Sequence, residues 1–360
     1  GCYAQVAPEE IAAMPEVSLI LGTDEKMTLP ERIEVMAAGP CRLQVGDVGL
    51  VREMNFRAAS SFPGHTRAFL KIQDGCDAWC SYCIVPHARG RSRSLPPERV
   101  LDEIRRLGDA GYREVVLTGI HLGVYGKDLK APSSLLDILK IVNQERPLER
   151  IRLSSLEPGE VTNELIELVG GSQVICPHFH IPLQSGDDDV LKAMRRTYDR
   201  GFFRDLIEKI RTKLPRAAIG VDIMTGFPGE DEAAFQNTYK LIATLPVTYL
   251  HVFPYSRRPG TPAATMQGQV GEKIKKERAE ALRVLGEQKK MTFSRSFVGT
   301  EMTVLVEGHG GKEKKSMQGW TDNYQSVLID GVHPDLFNQM VSVRITGFHD
   351  GRLTGRIDHV

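Results

Sequence analysis

Residues 68–83 read AFLKIQDGCDAWCSYC, a short apolar run ending in a glycine turn that carries Cys76, Cys80 and Cys83. The spacing is C-x3-C-x2-C, and clustered thiolates are soft ligands suited to zinc or to iron–sulfur clusters. Structural zinc takes four ligands, usually as two pairs. No second C-x2-C and no nearby histidine pair completes such a set, although His87 can be nominated as a fourth ligand. Three thiolates suit a [4Fe–4S] cluster better, because they hold three irons and leave the fourth open to another ligand.

Outward from that loop the chain alternates strand and helix. Short apolar segments bounded by turn residues predict strands at 68–73, 114–119, 152–155, 178–183, 218–224 and 248–253. Helical stretches follow at 96–110, 133–143, 161–168, 188–195, 201–214 and 231–244. The first opens Ser94-Leu95-Pro96-Pro97-Glu98, with serine as a cap and the prolines suited to a first turn. Six β-α units in series predict an α/β fold with a parallel sheet, either doubly wound or closed part-way into a barrel. Chemistry then belongs at the C-terminal ends of the strands.

The flanks have a different texture. Residues 1–65 hold short apolar pieces at 17–21, 33–36 and 43–51 and end near a turn cluster at 60–64. They read as the tail of a small α/β domain and a linker. After the core (66–296), whose last element is a charged amphipathic helix at 272–295, residues 297–360 carry short strands at 301–306, 324–329, 339–346 and 353–358. Glycine turns separate them, which predicts a small antiparallel β-barrel. The chain opens with Gly1 and Cys2 rather than methionine, so its beginning is expected to be missing.

The totals set bounds. Of 360 residues 41% are hydrophobic and 26% charged, the balance of an ordinary globular chain with a large core. No apolar run approaches the roughly 20 residues of a membrane span. Six cysteines with three inside eight positions do not make a disulfide scaffold, which leaves the cytoplasm as the default location. Cys41 and Cys176 read as small buried hydrophobes.

These features resemble the radical S-adenosylmethionine (SAM) superfamily, in which the open iron binds the amino and carboxylate groups of SAM. The phrases KIQDGC (71–76), IVPHARG (84–90) and RSRS (91–94) narrow the resemblance to the methylthiotransferases, over essentially the whole chain. LTGIH (117–121) with GVYG (123–126), and HVFPYSRRPGTP (251–262), resemble the branch that acts on N6-threonylcarbamoyladenosine in tRNA. The C-terminal barrel resembles the TRAM domain, which presents substrate. The resemblance implies conversion of that nucleoside, beside the anticodon, to its 2-methylthio derivative, with two SAM molecules used per turnover. It also implies a tRNA anticodon loop and an electron donor such as flavodoxin or ferredoxin as partners.

By the same resemblance Gly119 lies where the family contacts the SAM amino group, Gln184 where it contacts the ribose, and Asp222 in the motif that packs on adenine. Arg195 is placed to reach the SAM carboxylate or, equally, to be a solvated helix arginine. The family carries a second [4Fe–4S] cluster on three N-terminal cysteines, and Cys2 matches the third of them. As written, the chain is expected to assemble the SAM cluster but not the second.

The RNA partner has partial support in charge. Residues 195–216 carry a net +5, and Arg89, Arg91, Arg93 and Arg99 form another basic run, whereas residues 297–360 sum to −2. Basic patches neutralise phosphates, but a charge run is more often a solvated face. Two competitors remain. One is a sister methylthiotransferase acting on another tRNA base or a ribosomal protein, and the other is a non-catalytic RNA-binding protein with structural metal.

Overall fold

A computed structural model describes residues 1–33, 42–58, 64–310 and 316–357. Cys41 lies outside the described residues.

Six parallel strands form the centre: β1 (Arg67–Lys71), β2 (Glu114–Thr118), β3 (Arg150–Leu153), β4 (His178–His180), β5 (Ala218–Thr225) and β6 (Tyr249–Pro254). They pair in chain order as β1-β2-β3 and β4-β5-β6. An isolated parallel bridge between Ile151 and Ile175, and a hydrogen bond from Leu156 N to the His180 carbonyl, join the two halves. The result is the partial barrel expected from six β-α units.

The outer helices are α1 (Pro97–Asp109), α2 (Leu135–Glu145), α3 (Asn163–Gly171), α4 (Asp188–Ala193), α5 (Arg200–Lys213), α6 (Glu232–Thr244) and α7 (Glu272–Arg295). Alternation divides the strands cleanly. Ile219, Val221 and Ile223 of β5 join the buried core under the helices, while Gly220, Asp222 and Met224 take the opposite face, toward the barrel lumen. Asp199 and Asp231 cap α5 and α6 by accepting from Phe202 N and Ala234 N. Ser94 does not cap α1 as expected. Its hydroxyl donates to Asp128 at 2.6 Å, and α1 starts on Pro97 with no side-chain cap.

The C-terminal barrel closes with five strands: β7 (Glu301–Gly310), β8 (Ser316–Thr321), β9 (Ser326–Asp330), β10 (Met340–His349) and β11 (Arg352–Arg356). β8 is the strand absent from the sequence expectation. Its string SMQGWT has no apolar run, yet Met317, Gly319 and Thr321 alternate inward. Closure also uses one parallel pairing, β9 with β11, within an otherwise antiparallel ladder.

This small barrel plugs the N-terminal end of the large one. Arg152 makes a two-pronged contact with Glu114, at 2.7 and 3.1 Å, and also donates to the carbonyls of Thr321 and Asp322. Arg150 donates to the carbonyls of Trp320 and Thr303. Tyr324 stacks on Trp320 and lies under the Arg152 guanidinium. Glu114 and Arg152 are both almost fully buried, so each is stable only with its partner in place. The N-terminal piece packs near the cysteine loop, with Thr23 donating to the Ala88 carbonyl.

Arg152→Met should therefore cost about 3–5 kcal/mol of unfolding free energy by leaving Glu114 with only the longer 3.8 Å contact to Arg150, and adding Glu114→Gln should recover much of it. Denaturant titration of the unsubstituted chain and the two variants is the check. Equal losses in the single and double variants would show that the ion pair is not the seat of the effect.

Candidate active site

The ends of the first four strands converge. The cysteine loop follows β1, His121 follows β2, Glu157 and Glu160 follow β3, and Arg195 and Arg196 follow α4. Cys80, His121, Glu157, Glu160, Arg195 and Arg196 line one cavity of about 570 Å³ at these C-terminal ends. A larger cleft of about 870 Å³ lies at the opposite end, between the two barrels, and holds no part of the thiol loop. Chemistry is assigned to the smaller cavity because Cys80 of the thiol loop lines it.

Local backbone rules shape the loop. Gly75 has φ +75°, and a Cβ there would collide with the Arg91 carbonyl. Gln73, fully buried, donates through its side-chain amide to the Gly75 carbonyl at 2.8 Å and Ser92 Oγ at 2.9 Å. Its carbonyl accepts from His121 N at 2.8 Å. The loop is thus tied both to its own return and to the end of β2.

Each thiol is partly exposed, and none is in a disulfide. Cys76 Sγ lies 3.5 Å from His121 Nδ1, and Cys80 Sγ accepts from the Arg196 guanidinium at 3.1 Å. Burial pushes the Cys83 thiol up to about 11. His121 Nε2 is 2.6 Å from Glu160 Oε1. Burial alone would depress this imidazole, but its contacts with Cys76 and Glu160 outweigh that and raise it to about 10. Arg196 is nearly buried and pairs with Glu157, beneath the ring and hydroxyl of Tyr198. Burial raises the Glu157 carboxyl, and Arg196 opposes the rise.

The donor set fits a cluster. Among the described residues, the one set of three ligand-type atoms within 4.8 Å of one another is His180, Asp222 and His251, so the three sulfurs are spread wider than ligands of a single ion. Cys76 and Cys80 are neighboured by an imidazole and a guanidinium, which favour thiolates, whereas burial favours the thiol form of Cys83. His87 does not join them; its ring meets Trp79 edge-on at 5.3 Å. Cys2 stands apart, accepting from Arg89 Nε at 3.1 Å. No second thiol accompanies it among the described residues, so these residues do not fit a second cluster. Cys176 is buried, as expected.

The other sequence candidates scatter. Gly119 sits against Gln73, where a Cβ would come within 3.0 Å of its carbonyl oxygen. Gln184 takes φ +68° and bridges to Ile223 through its backbone. Asp222 turns its carboxylate to His180 and His251. Arg195 is exposed on the cavity rim, while the neighbouring Arg196 reaches a cysteine. Arg196, Glu157 and His121 in its contact with Cys76 were not singled out by sequence, which offered only their nearness to strand ends. The basic runs are divided: Arg89 faces Asp74 and Arg93 donates to backbone carbonyls, Arg204 pairs with Asp205 at the surface, and Arg91, Arg99, Arg200 and Arg216 are exposed.

Comparisons with known proteins agree with this geometry. The Radical SAM superfamily model matches residues 70–242 and the TRAM domain model residues 295–357. The chain is 39% identical to the threonylcarbamoyladenosine tRNA methylthiotransferase MtaB of Bacillus subtilis, over 96% of this chain and 77% of that protein. It is 40% identical to the same-named protein of Rickettsia prowazekii, over 98% of this chain and 80% of that one. The tRNA-2-methylthio-N(6)-dimethylallyladenosine synthase of Pelotomaculum thermopropionicum is 35% identical, over 100% of this chain and 81% of that protein. The fold and site define a radical SAM enzyme with a [4Fe–4S] cluster. More particularly, this chain belongs to the radical SAM tRNA methylthiotransferase family.

A half-buried thiol with its pKa at about 11 gains thiolate tenfold per pH unit below that value. In the reduced, metal-free chain, alkylation of Cys83 by iodoacetamide should therefore speed up about tenfold from pH 8 to 9 and about tenfold again to pH 10. Peptide mass spectrometry gives the rate. A plateau by about pH 9 contradicts the burial described.

Proposed function

We propose that this chain converts N6-threonylcarbamoyladenosine in the tRNA anticodon loop to its 2-methylthio derivative. The observation that carries the reading is that Cys80 of the three-thiol loop meets Arg196 and Glu157 on one cavity, with Cys76 held against His121 of the same wall. Three domains are proposed: 1–65 as part of an N-terminal domain and linker, 66–296 as the radical SAM core, and 297–360 as the TRAM domain.

Cys76, Cys80 and Cys83 would hold the cluster, which when bound supplies the electron that cleaves SAM. This chain's own residues bind and orient. Arg196 is a planar cation matched to the SAM carboxylate, and Glu157 beside it is an anion matched to the amino group. Arg195 stands at the rim of this cavity, whereas Gly119, Gln184 and Asp222 are not among the residues that line it. The target base must leave its stack to enter, at about a few kcal/mol. At the other end of the barrel, Arg113, Arg146, Lys213 and Arg216 line the larger cleft, a basic surface suited to phosphates. A small redox protein such as flavodoxin or ferredoxin is proposed as electron donor, and a tRNA substrate places the reaction in the cytoplasm. Among the described residues no helix is long and apolar enough to cross a membrane.

The preference for threonylcarbamoyladenosine over the dimethylallyl nucleoside rests on the higher identity to relatives named for the former. Deleting the gene for this chain should leave N6-threonylcarbamoyladenosine without its methylthio group in digested tRNA, with the methylthio-dimethylallyl nucleoside unchanged. The reverse profile assigns the chain to the sister reaction.

Arg196→Met should keep the cluster iron but raise the SAM requirement about ten- to hundredfold, the loss of a hydrogen bond to a charged group at about 1.5–3 kcal/mol. Formation of 5'-deoxyadenosine by the reduced, reconstituted chain at graded SAM concentrations is the readout. An unchanged SAM dependence removes Arg196 from the pocket.

A further inference from the structure

A second set of ligand-type side chains lies in the lumen, and none of its members lines the thiol cavity. Asp222 of β5 and His251 of β6 are direct register partners, and His180 of β4 pairs with Gly220 one turn of the pleat below. Asp222 Oδ1 is 2.7 Å from His180 Nε2 and 3.3 Å from His251 Nδ1. Metal bonds of about 2.0–2.2 Å in tetrahedral geometry would set donor atoms about 3.4 Å apart. The Asp222–His251 separation of 3.3 Å is close to that value, and the Asp222–His180 pair at 2.7 Å would have to open by roughly 0.7 Å to admit an ion.

The neighbours of His180 constrain it further. The Tyr249 hydroxyl is 3.1 Å from His180 Nδ1 and 2.8 Å from His178 Nε2. A phenol hydroxyl carries one proton, so Tyr249 donates to one of the two histidines only. When it donates to His178 it accepts from His180 Nδ1–H, and in a neutral imidazole Nε2 is then a lone pair facing a carboxylate oxygen. Two lone pairs at 2.7 Å repel unless a cation lies between them. The opposite orientation satisfies the same groups as a plain hydrogen-bond network.

We propose that His180, Asp222 and His251 form a site for a divalent transition cation of the zinc(II) class, with its remaining positions open to the lumen. Two imidazoles and one carboxylate are a recurrent set for such ions, and it leaves room for outside ligands. The Tyr249–His178 relay is the kind of outer support that fixes the tautomer of a ligand histidine. His251, with 52% of its side chain exposed, gives an entry path. The site does not depend on which tRNA base is modified.

The test uses the reconstituted chain, whose loop thiols are occupied by the cluster, on a Cys2→Ala background. After brief chelation it is titrated anaerobically with zinc(II), and zinc and iron are counted after gel filtration. One zinc per chain beyond the iron is expected, with a nitrogen/oxygen first shell and imidazole features in X-ray absorption. His251→Ala and Asp222→Asn should lose that zinc with iron content unchanged, which also reports that each variant has folded. Tyr249→Phe should weaken binding about ten- to hundredfold. No stoichiometric zinc in the parent chain, a sulfur first shell, or zinc retained by both ligand variants overturns the site. The parent chain decides alone should the variants lose iron.

Discussion

One buried amide holds the thiol loop in register with the barrel. A loop that offers three thiolates at a strand end exposes backbone donors and acceptors with no ladder partner, and burying these unpaired is costly. Gln73 answers for several at once, donating to the Asp74 and Gly75 carbonyls and to Ser92 Oγ while accepting from His121 N. The same side chain thereby fixes the position of His121, whose ring meets Cys76 on one side and Glu160 on the other. Asp74 extends the brace, caught between Lys71 and Arg89 while accepting from Gly75 N. Arg89 in turn touches Cys2, so the N-terminal piece is coupled to the loop through side-chain charge rather than through a shared sheet.

The barrel follows from a different constraint. Six parallel strands with apolar faces outward leave an inward face that need not be apolar, and here it is not. Glu114, Arg150 and Arg152 at its N-terminal end would be untenable if buried singly. The TRAM-like barrel makes them tenable, because the turn around 320–325 brings backbone carbonyls and Tyr324 into that end. Tyr324 also lies 4.8 Å from the ring of His178, which begins the line of polar aromatics running to Tyr249, His180 and His251. The two barrels are thus one polar assembly through the lumen, and docking of the small one sets the environment of the residues above it.

Much of this could be read from the residue string, and the unread remainder has a common cause. The six strands and the thiol loop were legible because apolar runs, glycine turns and cysteine spacing are local signals. β8 was not, since its inward positions are Met317, Gly319 and Thr321 and only alternation marks them. Glu157 and Glu160 were invisible as site residues because a carboxylate in a loop has no signature until its partner is placed. Asp222 was singled out, but its histidines come from two other strands and meet it only through register. The basic run at 195–216 announced more free charge than the fold leaves, since Arg204 pairs with a neighbour and Arg211 is turned onto backbone carbonyls.

The pair Arg195 and Arg196 shows how one dihedral decides which of two identical side chains enters a site. α4 ends just before them, and Arg195 takes φ +60°, a left-handed conformation that usually falls to glycine at this position. Its N–H bonds back to the Lys192 carbonyl, and that of Arg196 to the Leu191 carbonyl. This double closure satisfies the helix end and reverses the chain. For a residue with a Cβ the conformation costs about 1–2 kcal/mol. The reversal sends Arg195 out to the rim and Arg196 inward, under Tyr198 and onto Cys80 and Glu157. A regular helix would place neighbouring residues about 100° apart around its axis, with no sharp division between solvent and cavity. The strain is therefore part of the site, because without the left-handed turn the buried guanidinium would not face both the thiol loop and the carboxylate.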